Sequence, residues 1–142
     1  MSSSFFLCVV DDTTDYRVLL QYLLQQGCPD CDLSLFAHGQ DFLNAISRFE
    51  RLPDLILLDY HMPDLDGCQT LQMLKQQPVY QSIPVVLMSM QATDEDIRTC
   101  YKAGANAFLR KSVDFELFKE QLEATCHYWL QLNQQPARRP DN

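Results

Sequence analysis

The sequence predicts an α/β fold: five parallel strands in one sheet, covered by helices on both faces. Two observations carry that prediction. Five short apolar runs of strand length, Phe5–Val10, 33–37, Leu55–Asp59, 85–88 and Ala107–Arg110, recur along the chain. The first, third and fourth are nearly continuous Val, Ile and Leu, as expected of strands covered on both sides. Between them lie segments whose apolar residues repeat at helical spacing, and strict strand–helix alternation implies a parallel sheet with right-handed crossovers.

The elements follow in order. After the first strand, Val18, Leu19, Tyr22 and Leu23 form a stripe that ends before Gly27, a natural helix stop. Phe42, Leu43 and Ile46 form a second, ending before Pro53. Leu71 and Leu74 follow Gly67 and stop before Pro78. Thr93 and Asp96 fit an acidic variant of the capping box, opening a helix that carries Ile97, Cys100 and Tyr101 and ends before Gly104. A last helix begins near Val113 with the stripe Phe115, Phe118, Leu122, Cys126 and Trp129. A second line, Leu117, Ala124 and Tyr128, runs beside it, so this helix either has a wide core-facing stripe or turns one side to a partner. The ending "NQQPARRPDN" is polar with two prolines and is expected to fray. Residues 1–132 are thus read as one domain and 133–142 as a tail.

The chain has 142 residues, 46 % hydrophobic and 21 % charged, enough for one sizeable core. Its formal charge of -8 argues against a surface that binds nucleic-acid phosphates, which needs clustered Lys and Arg. No apolar run approaches the roughly 20 residues of a membrane span. The start lacks a basic leader region and turns acidic at once, so a cytoplasmic protein is expected. Cys28 and Cys31 have the spacing of a redox pair or half a zinc site, but no second Cys-x-x-Cys accompanies them, and that reading is set aside. Cys8, Cys68, Cys100 and Cys126 stand singly among apolar neighbours and read as small buried hydrophobes.

In a parallel sheet, ligands sit beyond the carboxyl ends of the strands. Those ends carry Asp11 and Asp12, then Asp59, then Ser89, then Lys111. Alone, each is commonplace: an Asp pair is often a solvated turn, a Ser a helix cap, a Lys surface. Together they make a site. Three nearby carboxylates repel unless a cation joins them, and an all-oxygen donor set suits Mg2+ better than zinc. A carboxylate beside Mg2+ can be an aspartyl-phosphate nucleophile. Lys111, the Ser89 hydroxyl and backbone N–H groups after Asp59 could then serve the three phosphoryl oxygens. Asp64 and Asp66, in the following loop, read as solvated or capping.

The stretches "VVDD", "DYHMPDLDG" and "GANAFLRK" resemble the acidic pair, phosphoacceptor segment and lysine motif of the response regulator receiver domain, over residues 5 to about 130. The resemblance implies a flavodoxin-like (βα)5 three-layer sandwich with strand order 2-1-3-4-5. It implies that Asp59 accepts a phosphoryl group from a sensor histidine kinase or phosphotransfer protein. Asp11, Asp12, Asp59 and the backbone carbonyl of His61 would hold Mg2+. Ser89 and Phe108 would be the switch hydroxyl and switch aromatic, repacking the face of the fourth helix, fifth strand and fifth helix for partner binding or homodimerisation. The protein would be a signalling module that catalyses only its own phosphoryl transfer and dephosphorylation. A narrower likeness points to the single-domain regulators paired with phytochromes, and with only a short tail after the last helix, output is expected by binding.

Two departures stand out. Met90 replaces the usual small residue after the hydroxyl and should narrow access to Asp59, slowing exchange with small phosphodonors and loss of phosphate. Ser112 replaces the proline after Lys111, so no cis bond is expected there. These departures are the grounds for a receiver that binds without taking phosphate. An aspartyl-phosphate phosphatase or hydrolase is the other alternative, but it would want Asp-x-Asp where this chain has Asp11-Asp12, and a cap that 142 residues hardly allow.

Overall fold

The computed structural model describes residues 5–136. Its strands are β1 (Phe5–Val10), β2 (Cys31–Phe36), β3 (Leu55–Asp59), β4 (Val85–Ser89) and β5 (Ala107–Arg110). They alternate with α1 (Thr14–Gly27), α2 (Gly39–Ile46), α3 (Gly67–Lys75), α4 (Asp94–Lys102) and α5 (Phe115–Cys126). All strand pairs are parallel and the sheet order is β2-β1-β3-β4-β5, as expected.

Alternate residues of a strand face opposite sides of the sheet, so each central strand feeds two cores. Cys8 and Val10 of β1, with Ile56 and Leu58 of β3, pack on Phe42, Ile46, Leu71 and Leu74 of α2 and α3. Leu7, Val9, Leu55 and Leu57 face the other way, onto Leu20, Leu23 and Leu24 of α1 and Phe118 and Leu122 of α5. Every residue of β3 and β4 is buried. At about 1.5–3 kcal/mol per large apolar side chain, this burial makes the central strands a firm base for whatever their ends carry.

Local signals set the helix ends. Thr93 accepts from the Asp96 N–H while the Asp96 side chain accepts from the Thr93 N–H, closing the expected capping box. Asp66 and Gln69 form a second box at the start of α3, and Asp64 is exposed with a φ of 66°. Both acids thus belong to the turn, as read from the sequence. Gly67 has a steric reason: a Cβ there would stand 2.5 Å from the Asp59 carbonyl oxygen and 2.8 Å from Tyr60 Cα. The start of α3 therefore presses directly on the end of β3.

Several details differ from the sequence reading. In α1 the buried residues are Leu20, Leu23 and Leu24, whereas Val18 and Tyr22 of the expected stripe are exposed, and in α4 Tyr101 is exposed beside buried Cys100. β2 begins at Cys31, two residues earlier than expected, because Asp32 points to solvent on this edge strand and breaks the apolar run. In α5 only Phe118, Leu122 and Cys126 of the stripe are buried, whereas Phe115 is 47 % exposed. Past Cys126 the helix widens into a π turn, His127–Leu132, which shifts its phase so that Leu130 takes the buried position and Trp129 only packs beside it. The line Leu117, Ala124 and Tyr128 is exposed.

Cys28 and Cys31 are joined as a disulfide, which corrects the decision to set that pair aside. Their three-residue separation across the turn from α1 into β2 brings the Cα atoms to 5.7 Å, within bonding range. The other four cysteines are free and buried. Gln135 donates to the Asp54 carbonyl at 2.9 Å, so the segment expected to fray starts out anchored; residues 137–142 of that tail lie outside the described residues. No described helix is long and apolar enough to cross a membrane.

Candidate functional site

The parallel register brings four strand ends to one edge. Asp59 closes β3 beside Met88 of β4, and Ser89 closes β4 beside Arg110 of β5. Asp11 and Asp12 follow β1 directly, and Lys111 follows β5. Carboxylate oxygens of Asp11, Asp12 and Asp59 lie within 4.8 Å of one another. The residues converge on a cleft of about 390 Å³ lined by Asp12, Thr13, Asp59, His61, Met90, Gln91 and Lys111.

Lys111 bridges two of the acids. Its Nζ lies 2.9 Å from Asp11 Oδ2 and 3.2 Å from Asp59 Oδ1, with all three side chains buried. Asp11 is fixed further: its Oδ1 accepts from the Thr13 N–H at 3.0 Å, and its carbonyl accepts from Arg17 at 2.6 Å. Burial pushes the Asp59 carboxyl up to about 6; Lys111 opposes that rise, while Asp11 and Asp12 add to it. For Lys111 burial works downward, but Asp11 and Asp59 together hold it above its ordinary value. Asp59 is therefore an anion at neutral pH, carried at a cost. Three carboxylates against one ammonium leave the cluster with unmatched negative charge, and its oxygen donors fit a hard divalent cation.

Ser89 and Phe108 make other contacts. Ser89 Oγ donates to the Gln91 carbonyl at 2.7 Å and accepts from the Gln91 N–H at 3.0 Å. Phe108 is half-buried against the α2–α3 core, its ring 6.2 Å from that of Tyr60. His61 lines the cleft, and its Nε2–H donates to the Gln91 carbonyl. The Tyr60 N–H, first after Asp59, is spent on the Met88 carbonyl at 2.8 Å. Met90 is 42 % exposed at the cleft mouth, and the described residues contain no cis peptide, Lys111–Ser112 included.

Three neighbours were not singled out from the sequence. Arg17 clamps the Asp11 backbone. Burial, with the Asp96 carboxylate of α4 nearby, raises the Tyr60 phenol to about 12. Tyr16 lies under the Lys111 ammonium. The one available signal was placement, since all three sit within a few residues of a strand end.

Comparison with known proteins gives a consistent result. The model of the response regulator receiver domain matches residues 7–123. The chain is 35 % identical over 137 residues to the probable methanogenesis regulatory protein FilR2 of Methanothrix harundinacea, spanning 94 % of this chain and 88 % of that protein. It is 30 % identical to response regulator Rcp1 of Synechocystis over 92 % of each chain. The structure of Rcp1 in its Mn(2+)-bound form superposes with a TM-score of 0.81 and 27 % identity, over 94 % of this chain and 99 % of that one. The phosphorylated cyanobacterial phytochrome response regulator RcpA shares the fold at a TM-score of 0.86 and 24 % identity, over the same fractions.

Proposed function

The chain belongs to the response regulator receiver domain family, and from that premise we propose that it is a phosphorylation switch with Asp59 as its acceptor. The observation that supports this best is the shared seat of Asp59, Asp11 and Lys111: a buried carboxylate with a second acid and an ammonium in contact. The donor is a phosphohistidine on a sensor histidine kinase or a phosphotransfer protein. An Asp59 oxygen attacks phosphorus as the N–P bond breaks, and the electron pair stays on the imidazole nitrogen. Lys111 meets the charge on one phosphoryl oxygen, with its ammonium already beside the acceptor.

Asp11, Asp12, Asp59 and the backbone carbonyl of His61 would hold Mg2+, which when bound supplies the charge that lets an anionic donor approach three carboxylates. Ser89 gives up Gln91 to donate to the phosphoryl group, and Phe108 repacks behind it. The changed surface is α4-β5-α5, where exposed Tyr101, Phe115 and Leu117 suit a second copy of this chain. The fold likeness to RcpA supports a phytochrome-type kinase as the donor.

Intact mass after incubation with acetyl phosphate and Mg2+ tests the reading. One phosphoryl adduct is expected on the wild type, none on Asp59→Asn and none with chelator. A wild type that stays unmodified even with a cognate kinase sinks it and favours a binding module that takes no phosphate.

A further inference from the structure

The Lys111 ammonium has a third neighbour, which the phosphoryl-transfer reading does not use. It lies 4.0 Å from the centroid of the Tyr16 ring, so that ring is one wall of a seat whose other walls are the Asp11 and Asp59 carboxylates. Tyr16 stands in the first turn of α1, just where the chain leaves the acidic pair. Its ring is braced from two sides. It meets Phe118 of α5 edge to face, with centroids 6.0 Å apart and planes at 88°, and its hydroxyl donates to Met90 Sδ at 3.4 Å.

A lysine needs such a wall. Its ammonium is a compact charge on a flexible four-carbon stem, unlike the planar fork of arginine. Two carboxylates fix its distance from each acid but leave it free to roll between them. A ring face attracts the cation through its quadrupole, more strongly where water is excluded, and removes that freedom. Transfer requires the charge to stand ready where the phosphoryl oxygens will be, since a small misplacement of a catalytic group is costly.

We propose that Tyr16 is a positioning residue for Lys111: its ring face holds the ammonium at Asp59 in the orientation that phosphoryl transfer uses. The proposal rests on the reading of Asp59 as phosphoacceptor. It assigns α1 a part in the chemistry and not only in packing. An aliphatic side chain could fill the space against Phe118, but only an aromatic one can hold the ammonium.

The test compares wild type, Tyr16→Phe and Tyr16→Leu in the full chain. Acetyl phosphate labelling with Mg2+ is followed by intact mass across donor concentrations, and the Lys111 ε-methylene signals are read by NMR in lysine-labelled protein. Over the ring face these methylene protons should be shifted upfield in wild type and in Tyr16→Phe, and should return to ordinary positions in Tyr16→Leu. The labelling rate at saturating donor should fall about tenfold in Tyr16→Leu, between the sizes of an exposed and a desolvated cation–π contact, and less than threefold in Tyr16→Phe. The half-saturating donor concentration should change little in either.

Labelling of Tyr16→Leu at the wild-type rate overturns the proposal, and so does a Tyr16→Phe rate as low as that of Tyr16→Leu. If Tyr16→Leu does not fold, the wild-type spectrum decides, because an unshifted ε-methylene means the ring is not over Lys111. A wild type that takes no phosphate at all fails the phosphoacceptor reading instead, while the methylene shift still reports the contact.

Discussion

Ser89 Oγ and the backbone of Gln91 satisfy each other completely: the hydroxyl donates to the carbonyl at 2.7 Å and accepts from the N–H at 3.0 Å. The hydroxyl thus has no donor left for Asp59 while this pair stands. Engaging a phosphoryl group would break a local hydrogen bond worth about 1 kcal/mol and free the loop between β4 and α4. Since His61 also donates to the Gln91 carbonyl, that loop is held from two sides.

Ser89→Ala is therefore expected to leave adduct formation within about tenfold of wild type, the worth of one hydrogen bond, because Lys111 and the acids remain in place. The loss should appear downstream. On phosphorylation, the Tyr60 and Phe108 ring signals should move far less than in wild type, as read by NMR. Full ring shifts in Ser89→Ala would show that the hydroxyl is not the link.

Asp59 gives a pH prediction with a definite sign. Burial raises its carboxyl to about 6, against Lys111 and with help from Asp11 and Asp12. The folded value lies above the unfolded one of about 3.9, so folding favours the protonated form. That contribution is complete below about pH 4, fades as pH rises toward 6 and is lost above it. With chelator at pH 7.5, Asp59→Asn should be more stable than wild type by on the order of 2 kcal/mol, and near pH 4 the two should converge. Mg2+ should narrow the gap at pH 7.5 by stabilising the wild type. Urea melts measure all three, and an Asp59→Asn variant less stable at pH 7.5 would contradict the assignment.

Gly67→Ala should damage fold and site together. The added methyl has nowhere to go, with the Asp59 carbonyl oxygen at 2.5 Å and Leu87 Cδ1 at 2.8 Å. Overpacking of this kind costs about 1–3 kcal/mol, and relief requires the end of β3 to shift. Thermal melts should show the loss, and acetyl phosphate labelling should slow at a temperature where the variant is still folded.

Met90 stands at the mouth of the Asp59 cleft with its sulfur tied to Tyr16. Met90→Ala should open the cleft, so that both acetyl phosphate labelling and loss of the adduct speed up severalfold. Stability should change by less than about 1 kcal/mol, since the side chain is partly solvated. Time-resolved intact mass gives both rates; unchanged rates would show that the side chain does not limit access.

What was legible in the sequence follows from burial. β3 is enclosed on both faces, so its apolar run marks both of its ends, and its terminal Asp59 stands out. β2, at the edge, is half solvated, and its polar Asp32 hid its start. The acids and Lys111 could be grouped because the fold class alone puts strand ends together. The Tyr16, Arg17 and Tyr60 contacts were not legible, because they depend on how helix and loop side chains meet in space, for which no periodicity exists. The phase change in α5 was hidden for a related reason: nothing in "HYWLQL" marks a π turn, and a helical wheel drawn through it places Trp129 where Leu130 sits.

The seat of Asp59 is built from residues far apart in the chain, with Asp11 and Lys111 separated by 100 positions and Asp59 and Lys111 by 52. A nascent or partly folded chain in which β1 and β3 have paired but β5 has not would hold the acceptor and its acidic neighbours without their cation. Such a species would repel a phosphorylated donor. β5, the last strand of this sheet in chain order, thus brings the ammonium that touches the acceptor, and a chain in which it has not yet paired is a poorer target for an anionic donor.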